Sequence, residues 1–325
     1  MSVLRYKKFC SGIRYLMKMV VLMNGKIYLL KTHIAAKGKS EMNIIFLIGI
    51  ILGVTLQQVT RKAYYNRLSG GAYSFSAASA FAALLFFLIV SKGRLEFNRQ
   101  VLGYAAGFAL AYSMACVGTL LAISAGPLSL TSLVISYSLI IPTFYGFAVL
   151  GEPIDFFILF GVILLFVSLV LIHFEKNGTQ KKITLKWVIY AAVAFVGNGM
   201  CSTMQKMQQI NCNGLYKNEF MVIALGVSVI VLTAATLIPE RKSLSVYMKK
   251  GFVWYISCGI ANGVVNYLTL VLSLRMPASI MFPVISAGGI ITTALVSIFV
   301  YKEKLSLQQY IGLGLGTFAI VVLNI

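Results

Sequence analysis

Long stretches without a charged residue recur along this chain of 325 residues, and they limit what it can fold into. A helix that crosses the hydrocarbon core of a bilayer needs about 20 predominantly apolar residues. Inside the bilayer its backbone N–H and C=O groups must be satisfied within the segment itself. The sequence therefore predicts an all-α membrane protein of about ten transmembrane helices. The predicted spans are 43–60, 72–90, 101–123, 128–150, 156–174, 187–205, 220–238, 252–274, 278–301 and 305–325.

The chain lacks the charged surface that a water-soluble protein of this length needs. Charged residues make up 11% of the sequence and apolar residues 59%, whereas soluble domains carry roughly 25% charged residues. The charge-free stretch between Arg99 and Glu152 is too long for one helix, and Gly126 and Pro127 divide it. Proline ends a helix and glycine permits a turn. Pro277 divides the corresponding part of the second half in the same way.

The first 41 residues differ from the rest, because they hold nine Lys or Arg residues and one acid, Glu41. Lys18 and Lys26 interrupt their apolar run, and no small-residue cleavage pattern follows it, so we do not interpret the segment as a signal peptide. Two interpretations stay open. The segment is either a basic arm that lies on anionic lipid headgroups or an extension upstream of a true start at Met42. We favour the second, because Met42 directly opens the first span.

An internal repeat relates 127–172 to 277–323. Both segments contain an apolar helix, a glutamate at its end, and a glycine inside the next apolar helix. The offset is 150 residues, and it becomes 151 after one inserted residue. The matching pairs are Pro127 with Pro277, Ser129 with Ser279, Ile135 with Ile285, Ser136 with Ser286, Glu152 with Glu303, and Gly161 with Gly312.

The repeat predicts how the chain is organised in the membrane. Each half has five spans, and because five is odd, the second half must enter the bilayer from the opposite side. Many secondary transporters use such an inverted pair, which can open a central site to one side and then to the other. We therefore expect a first five-helix repeat at 42–174, a connecting loop at 175–186 and a second repeat at 187–325.

With these repeated features, the chain resembles the EamA-like family of the drug/metabolite transporter superfamily. The resemblance covers about 43–325 and implies ten helices in two five-helix repeats, with a transport activity. The first half also carries the family's proline within its fourth helix, Pro142, whereas the second half has Thr292 at the equivalent place. A hinge role shared by both halves is therefore not expected.

Uncharged polar residues within the spans are the candidates for a substrate cavity. We find no acid or base in the middle of any predicted span, and Lys206 and Arg275 lie at span ends. Asn262 and Asn266 share a helix face, because residues four apart lie on one side of a helix. Hydrogen bonding between helices is the alternative role for each of these residues. The candidates are Gln57, Gln58, Tyr112, Ser132, Ser136, Tyr137, Asn198, Ser202, Gln205, Asn262, Asn266, Tyr267 and Ser286.

A second group of residues is placed to control movement or packing. Glu152 and Glu303 are candidates for gating or for coupling to a proton or another ion, together with Pro142. A carboxylate at such a position also stabilises the following helix through its dipole. Small residues allow helices to approach closely. We therefore expect Gly161, Gly312 and Gly316 to pack against neighbouring helices, and the spacing of the last two also leaves a homodimer interface open.

Enzymatic and metal chemistry are not indicated by the sequence. Asp155 is the only aspartate, so an aspartyl dyad cannot form, and the two histidines are His33 and His173. No zinc-protease, nucleophile-elbow or phosphate-loop motif is present. The five cysteines show no paired C-x-x-C spacing that would indicate a metal site. We expect no catalytic residues, no cofactor and no metal, and the short basic loops do not indicate nucleic-acid binding.

The sequence is best explained by a secondary transporter that exports a small metabolite such as an amino acid, as the resemblance implies. A lipid-linked-sugar flippase and a non-transporting membrane sensor of the same fold are the alternatives. We expect a multi-pass protein of the inner membrane of a bacterial cell, in contact with lipid. Its orientation stays open, because the Lys/Arg count of the 42–325 loops favours external termini and the resemblance implies cytoplasmic ones.

Overall fold

Every regular element in the described part of the computed structural model is a helix. In chain order the helices are α1 (Glu41–Arg61), α2 (Ala72–Ser91), α3 (Arg99–Ala125), α4 (Ile140–Ala148), α5 (Phe156–His173), α6 (Leu185–Asn211), α7 (Lys217–Leu237), α8 (Leu244–Ser273), α9 (Ala278–Phe299) and α10 (Leu307–Val322). The structure describes 41–61, 63–64, 67–68, 70–96, 98–125, 131, 134–135, 137–153, 155–173, 184–237, 239–299 and 307–322. Residues 1–40, to which the expected basic arm belongs, lie outside these ranges.

Six of these helices are long and apolar enough to cross a membrane: α1, α2, α3, α6, α7 and α8. Three further apolar helical stretches, Phe156–Ser168, Ala278–Thr292 and Tyr310–Ala319, are shorter. Large apolar side chains point outward along the helices, such as Ile89 at 75% exposure and Ile230 at 71%. A surface of this kind suits contact with lipid rather than with water.

Several helices extend beyond the predicted spans. Helix α8 begins at Leu244 and includes Lys249 and Lys250, although the span was predicted from 252. Helix α6 continues to Asn211 instead of ending near 205. Long basic and polar side chains at helix ends reach toward the interface, so the helical conformation need not end where the apolar sequence ends. Thr184 fixes the start of α6, because its side chain accepts a hydrogen bond of 3.2 Å from the Trp187 N–H.

Within 47–325, several contacts between helices have a counterpart that is formed by the equivalent helices of the other half of the chain. Helices α1–α5 correspond in order to α6–α10. The contact between α3 and α6 therefore corresponds to the contact between α8 and α1. The contact between α2 and α8 corresponds to the contact between α7 and α3. The contact of α4 with α6 corresponds to that of α1 with α9. Helices α2, α4 and α5 each contact their own counterparts α7, α9 and α10. Exchanging the halves therefore reproduces this set of contacts.

Glycines allow the closest approaches between helices. A Cβ atom on Gly118 of α3 would lie 2.8 Å from the Ala194 nitrogen and 3.2 Å from the Tyr190 oxygen of α6. A Cβ atom on Gly197 of α6 would lie 2.6 Å from the Ala115 nitrogen. Helices α3 and α6 therefore contact each other backbone to backbone, which only small residues permit.

Two glycines of α3 make a matched test of this contact. We expect Gly118→Ala to lower the thermal stability of the protein in detergent, because a methyl group there meets backbone atoms and overpacking costs about 1–3 kcal/mol. Gly103→Ala should leave the stability unchanged or raise it, since nothing lies within 4 Å of its added Cβ. Alanine is also the better helix former by about 1 kcal/mol. Equal shifts in both variants would contradict the close contact between α3 and α6.

Candidate functional site

Four side-chain amides form a hydrogen-bonded chain across the interior. Asn262 donates to the Gln57 Oε1 atom at 3.3 Å, and Asn266 donates to the Asn262 Oδ1 atom at 2.7 Å. Gln205 donates to the Asn266 Oδ1 atom at 2.6 Å. The chain links α1 of the first half with α6 and α8 of the second half. We call these four residues the amide chain.

The amide chain combines satisfied hydrogen bonds with accessible polar groups. Gln205 is 3% exposed, whereas Gln57, Asn262 and Asn266 are half-buried. Each amide group offers two donors and one acceptor oxygen with two lone pairs. The hydrogen bonds between these side chains therefore do not use all of their donors and acceptors, and a neutral or zwitterionic solute could bind to the rest.

The Glu152 carboxylate forms a second polar cluster where α4 and α9 meet. It accepts hydrogen bonds from the backbone N–H groups of Ala278 and Ser279, at 2.7 and 2.8 Å. These N–H groups belong to the first turn of α9, which has no earlier carbonyls to bind. A carboxylate there also interacts favourably with the helix dipole. Glu152 therefore caps a helix of the other half of the chain, whereas the sequence had placed it beside the helix that follows it.

Lys206 completes this cluster. Its Nζ atom lies 3.8 Å from the Glu152 Oε1 atom, with the two side chains 5% and 11% exposed. The ammonium group also donates to the carbonyl oxygens of Ser273 and Met276, both at 2.7 Å. These carbonyls lie at and just beyond the end of α8. We call Glu152, Lys206 and the α9 N-terminus the capping cluster.

Lys206 and Arg61 lie near helix ends, as expected, but the polar sequence around them is partly helical. Helix α6 continues five residues beyond Lys206 to Asn211, and the Lys206 side chain is buried. Helix α1 ends at Arg61, and helical residues also occur at Ala63, Tyr64 and Arg67.

Other cavity candidates lie apart from the amide chain. Asn198 donates to the Ser138 Oγ atom at 2.8 Å, which joins α6 to the start of α4. Tyr112 stacks on Phe108 with ring centroids 5.8 Å apart. Ser202 is half-buried on α6.

Three more candidates have separate surroundings. Gln58 is exposed. The Tyr267 ring lies 4.9 Å from the Lys217 ammonium group, in a cation–π contact. Tyr137 and Ser286 line a small, largely apolar cavity of about 50 Å³ between α4, α5 and α9.

The remaining predicted residues have simpler positions. Pro142 is buried in α4. Ser168 of α5 donates to the Gly312 oxygen at 2.6 Å, and a Cβ atom on Gly316 would lie 2.6 Å from the same hydroxyl. The face of α10 proposed for a dimer is therefore occupied by α5 of the same chain. Gly161 is buried in α5. Ser132, Ser136 and Glu303 lie outside the described residues.

Lys206 and Glu240 contribute polar contacts but were not among the residues predicted for the site. Lys206 directly follows Gln205, and the helical spacing of Ser202, Gln205, Lys206 and Gln209 indicates one polar face of α6. Glu240 was also missed. It accepts hydrogen bonds from the backbone N–H groups of Tyr73 and Ser74, at the start of α2. No sequence signal near Glu240 identifies α2 as its partner, because the two segments are far apart along the chain.

These features define an integral membrane protein whose apolar helices enclose clusters of hydrogen-bonded polar side chains. Residues 182–325 match the model of the EamA-like transporter family. Over these residues the match confirms the resemblance noted from the sequence, and the matched family is one of transporters and not of enzymes.

A comparison of structures shows the fold of most of the chain. A solved crystal structure aligns with a TM-score of 0.73 at 11% sequence identity, over 87% of this chain and 96% of the other. At that identity the likeness shows a common fold alone. No curated protein matches the sequence.

The capping cluster makes a testable contribution to stability. We expect Glu152→Gln to lower the free energy of unfolding by about 3–5 kcal/mol, because it leaves the buried Lys206 ammonium group without its counter-charge. The double variant Glu152→Gln, Lys206→Met should recover part of this loss. Chemical or thermal unfolding in detergent would be measured for the unmodified protein, both single variants Glu152→Gln and Lys206→Met, and the double variant.

Asp155→Asn is the control for this comparison. Asp155 is exposed and accepts a hydrogen bond of 2.8 Å from the Phe156 N–H at the start of α5, and asparagine serves as well at such a position. Its stability should therefore match that of the unmodified protein. A double variant as unstable as the sum of its single variants would mean that Glu152 and Lys206 do not interact.

Proposed function

We propose that the chain is a secondary transporter that exports a small metabolite, such as an amino acid, by alternating access between two inverted five-helix halves. The family match supports membrane transport in general. The amide chain is the observation that supports a binding site for a small polar solute. It joins α1, α6 and α8, so it lies between the halves that would move relative to each other.

The amide chain suits a solute that is released after each cycle. Neutral amides bind polar groups without the cost of burying a permanent charge. Their hydrogen bonds can also be exchanged between protein partners and solute, because the same groups donate and accept. An interior made only of apolar side chains would not bind a polar metabolite, whereas several fixed charges would hold it too strongly for rapid release.

The capping cluster is the proposed latch of the cycle. Glu152 belongs to the first half, whereas Lys206 and the first turn of α9 belong to the second half. Their contact holds the halves together at this end of the helices, and its opening would admit water and solute there. Protonation of Glu152 would weaken the contact, since a neutral carboxyl group loses its attraction to the ammonium group. Glu152 is therefore the candidate through which a proton could be coupled to transport.

Solute counterflow tests the proposed function. The full chain would be reconstituted in liposomes loaded with a pool of amino acids, nucleosides or neutral sugars, and uptake of labelled solute would be compared with protein-free liposomes. We expect uptake driven by the amino-acid pool. In Gln57→Ala the rate should fall about tenfold, as expected when a hydrogen-bonding group of the site is lost.

Gln58→Ala is the matched control, because Gln58 is the neighbouring residue on α1 and its side chain is exposed. Its rate should stay within about twofold of the unmodified protein. Equal rates in the two variants would contradict a binding role for the amide chain. Binding of solute without uptake would favour the sensor, and movement of a labelled lipid between leaflets would favour the flippase.

A further inference from the structure

The Glu240 carboxylate connects the two halves of the chain at the start of α2. It follows α7 of the second half and accepts hydrogen bonds from the Tyr73 and Ser74 N–H groups, at 3.0 and 2.8 Å. The Ser74 hydroxyl group also donates to it. Tyr73 and Ser74 belong to the first turn of α2, where N–H groups have no earlier carbonyl of their own helix to bind. Glu240 therefore caps a helix of the first half from the second half, and we call this contact the second cap.

The Glu152 contact with α9 has the same construction in the opposite direction. Each glutamate closely follows a helix, Glu152 after α4 and Glu240 after α7, and each binds two consecutive N–H groups of another helix. Glu152 reaches from the first half to α9, whereas Glu240 reaches from the second half to α2. In both contacts the helix before the glutamate and the capped helix are counterparts in the two halves, and they contact each other. The two caps are therefore a matched pair.

The two caps lie at opposite ends of α8. Glu240 is in the loop before α8, and Tyr247 near the start of α8 lies against Gly71, beside the capped turn of α2. At the other end, the Lys206 ammonium group donates to the carbonyl of the last α8 residue and lies 3.8 Å from the Glu152 Oε1 atom. Helix α8 has 30 residues, about 45 Å of helix, whereas the hydrocarbon core is roughly 30 Å thick. The caps therefore lie on opposite faces of the membrane.

The amide chain lies between the two caps along α8. Asn262 and Asn266 are α8 residues, and the chain continues from them to α1 and α6. Both caps are formed in this structure, so the halves are joined on either side of the amide chain. A solute could reach the amide chain from a given face of the membrane only after the cap at that face had opened. Alternating access further requires that the two caps do not open together.

We propose that Glu240 is the second latch of the transport cycle, which opens its face of the membrane while the Glu152 cap stays closed. The inference rests on the proposed transport function and adds a residue to it. Glu240 is half-buried, so water can replace its hydrogen bonds when the second cap opens. The first N–H groups of α2 would be hydrated in the same way, since water can satisfy the free groups at a helix end. The second cap can therefore open and close reversibly, as a cyclic movement requires.

Distance measurements by electron spin resonance at both ends test the second latch. Spin labels at the exposed Arg67 and Lys242 would report the separation of the halves near Glu240, in a variant whose five cysteines are replaced. A separate pair at the exposed Val149 and Leu274 would report the other end. We expect Glu240→Ala to raise the ratio of long to short separations about fivefold at the first pair, a usual effect of losing a helix cap. The same change should lower that ratio at the second pair, because opening one end closes the other.

Further variants separate the latch from a structural role. Arg241→Gln is the matched control, because Arg241 is next to Glu240 and its side chain is exposed, so both ratios should match those of the unmodified protein. Glu240→Gln is the milder change, since the glutamine amide keeps one acceptor oxygen, and it should shift both ratios as Glu240→Ala does but less. Glu152→Gln should shift them in the reverse directions. A cap that only stabilised the fold would lower the melting temperature on substitution and leave both ratios unchanged.

Counterflow measured with the same proteins in liposomes distinguishes the second latch from the transport function. We expect Glu240→Ala to slow counterflow, because a cycle held open at one end returns slowly. Ratios that Glu240→Ala leaves unchanged, or raises at both ends, would overturn the second latch, and counterflow by the unmodified protein would then still support transport. Opposite changes at the two ends, without counterflow from any pool, would support the paired caps and overturn transport. The absence of both opposite changes and counterflow would overturn both statements.

Discussion

The Glu152 carboxylate connects the two halves of the chain through groups that otherwise lack partners. The first N–H groups of α9 have no carbonyls of their own helix to bind, and Lys206 brings a buried positive charge next to them. The Glu152 carboxylate accepts hydrogen bonds from these N–H groups and is also the counter-charge of Lys206. In a membrane protein an unsatisfied backbone group or an unpaired charge is particularly costly, because water is not there to replace the missing partner. Through Lys206 and the α9 N-terminus, this one side chain connects the ends of α4, α8 and α9 with α6.

Elsewhere in the interior, polar side chains also bind to each other, but these side chains are uncharged. The side-chain amides of Gln57, Gln205, Asn262 and Asn266 hydrogen-bond to each other where α1, α6 and α8 meet. Apolar side chains cover the outside of the helices, and glycines bring α3 and α6 into contact. In the proposed function, the capping cluster is the contact that would open, and the amide chain is the site to which it would give access.

The sequence predicted more of the fold than of the site. Long charge-free stretches predicted a membrane protein built of helices, because apolar length is a local property. Asn262 and Asn266 were predicted to share a face from their spacing alone. The partners of Glu152 and Glu240 could not be predicted, since each caps a helix more than 100 residues away. The burial of Lys206 could not be predicted either, because it depends on the continuation of α6 to Asn211 and on the distant Glu152 carboxylate.

The central claim is that the two halves move relative to each other about the amide chain and that the capping cluster holds one end closed. Spin labels at Val149 and Leu274, both exposed and close in sequence to the cluster, would report the separation of the halves in a variant whose five cysteines are replaced. Distance measurements by electron spin resonance should show two separations, with solute changing their proportions and Glu152→Gln increasing the longer one. A single separation, unchanged by solute and by Glu152→Gln, would contradict alternating access.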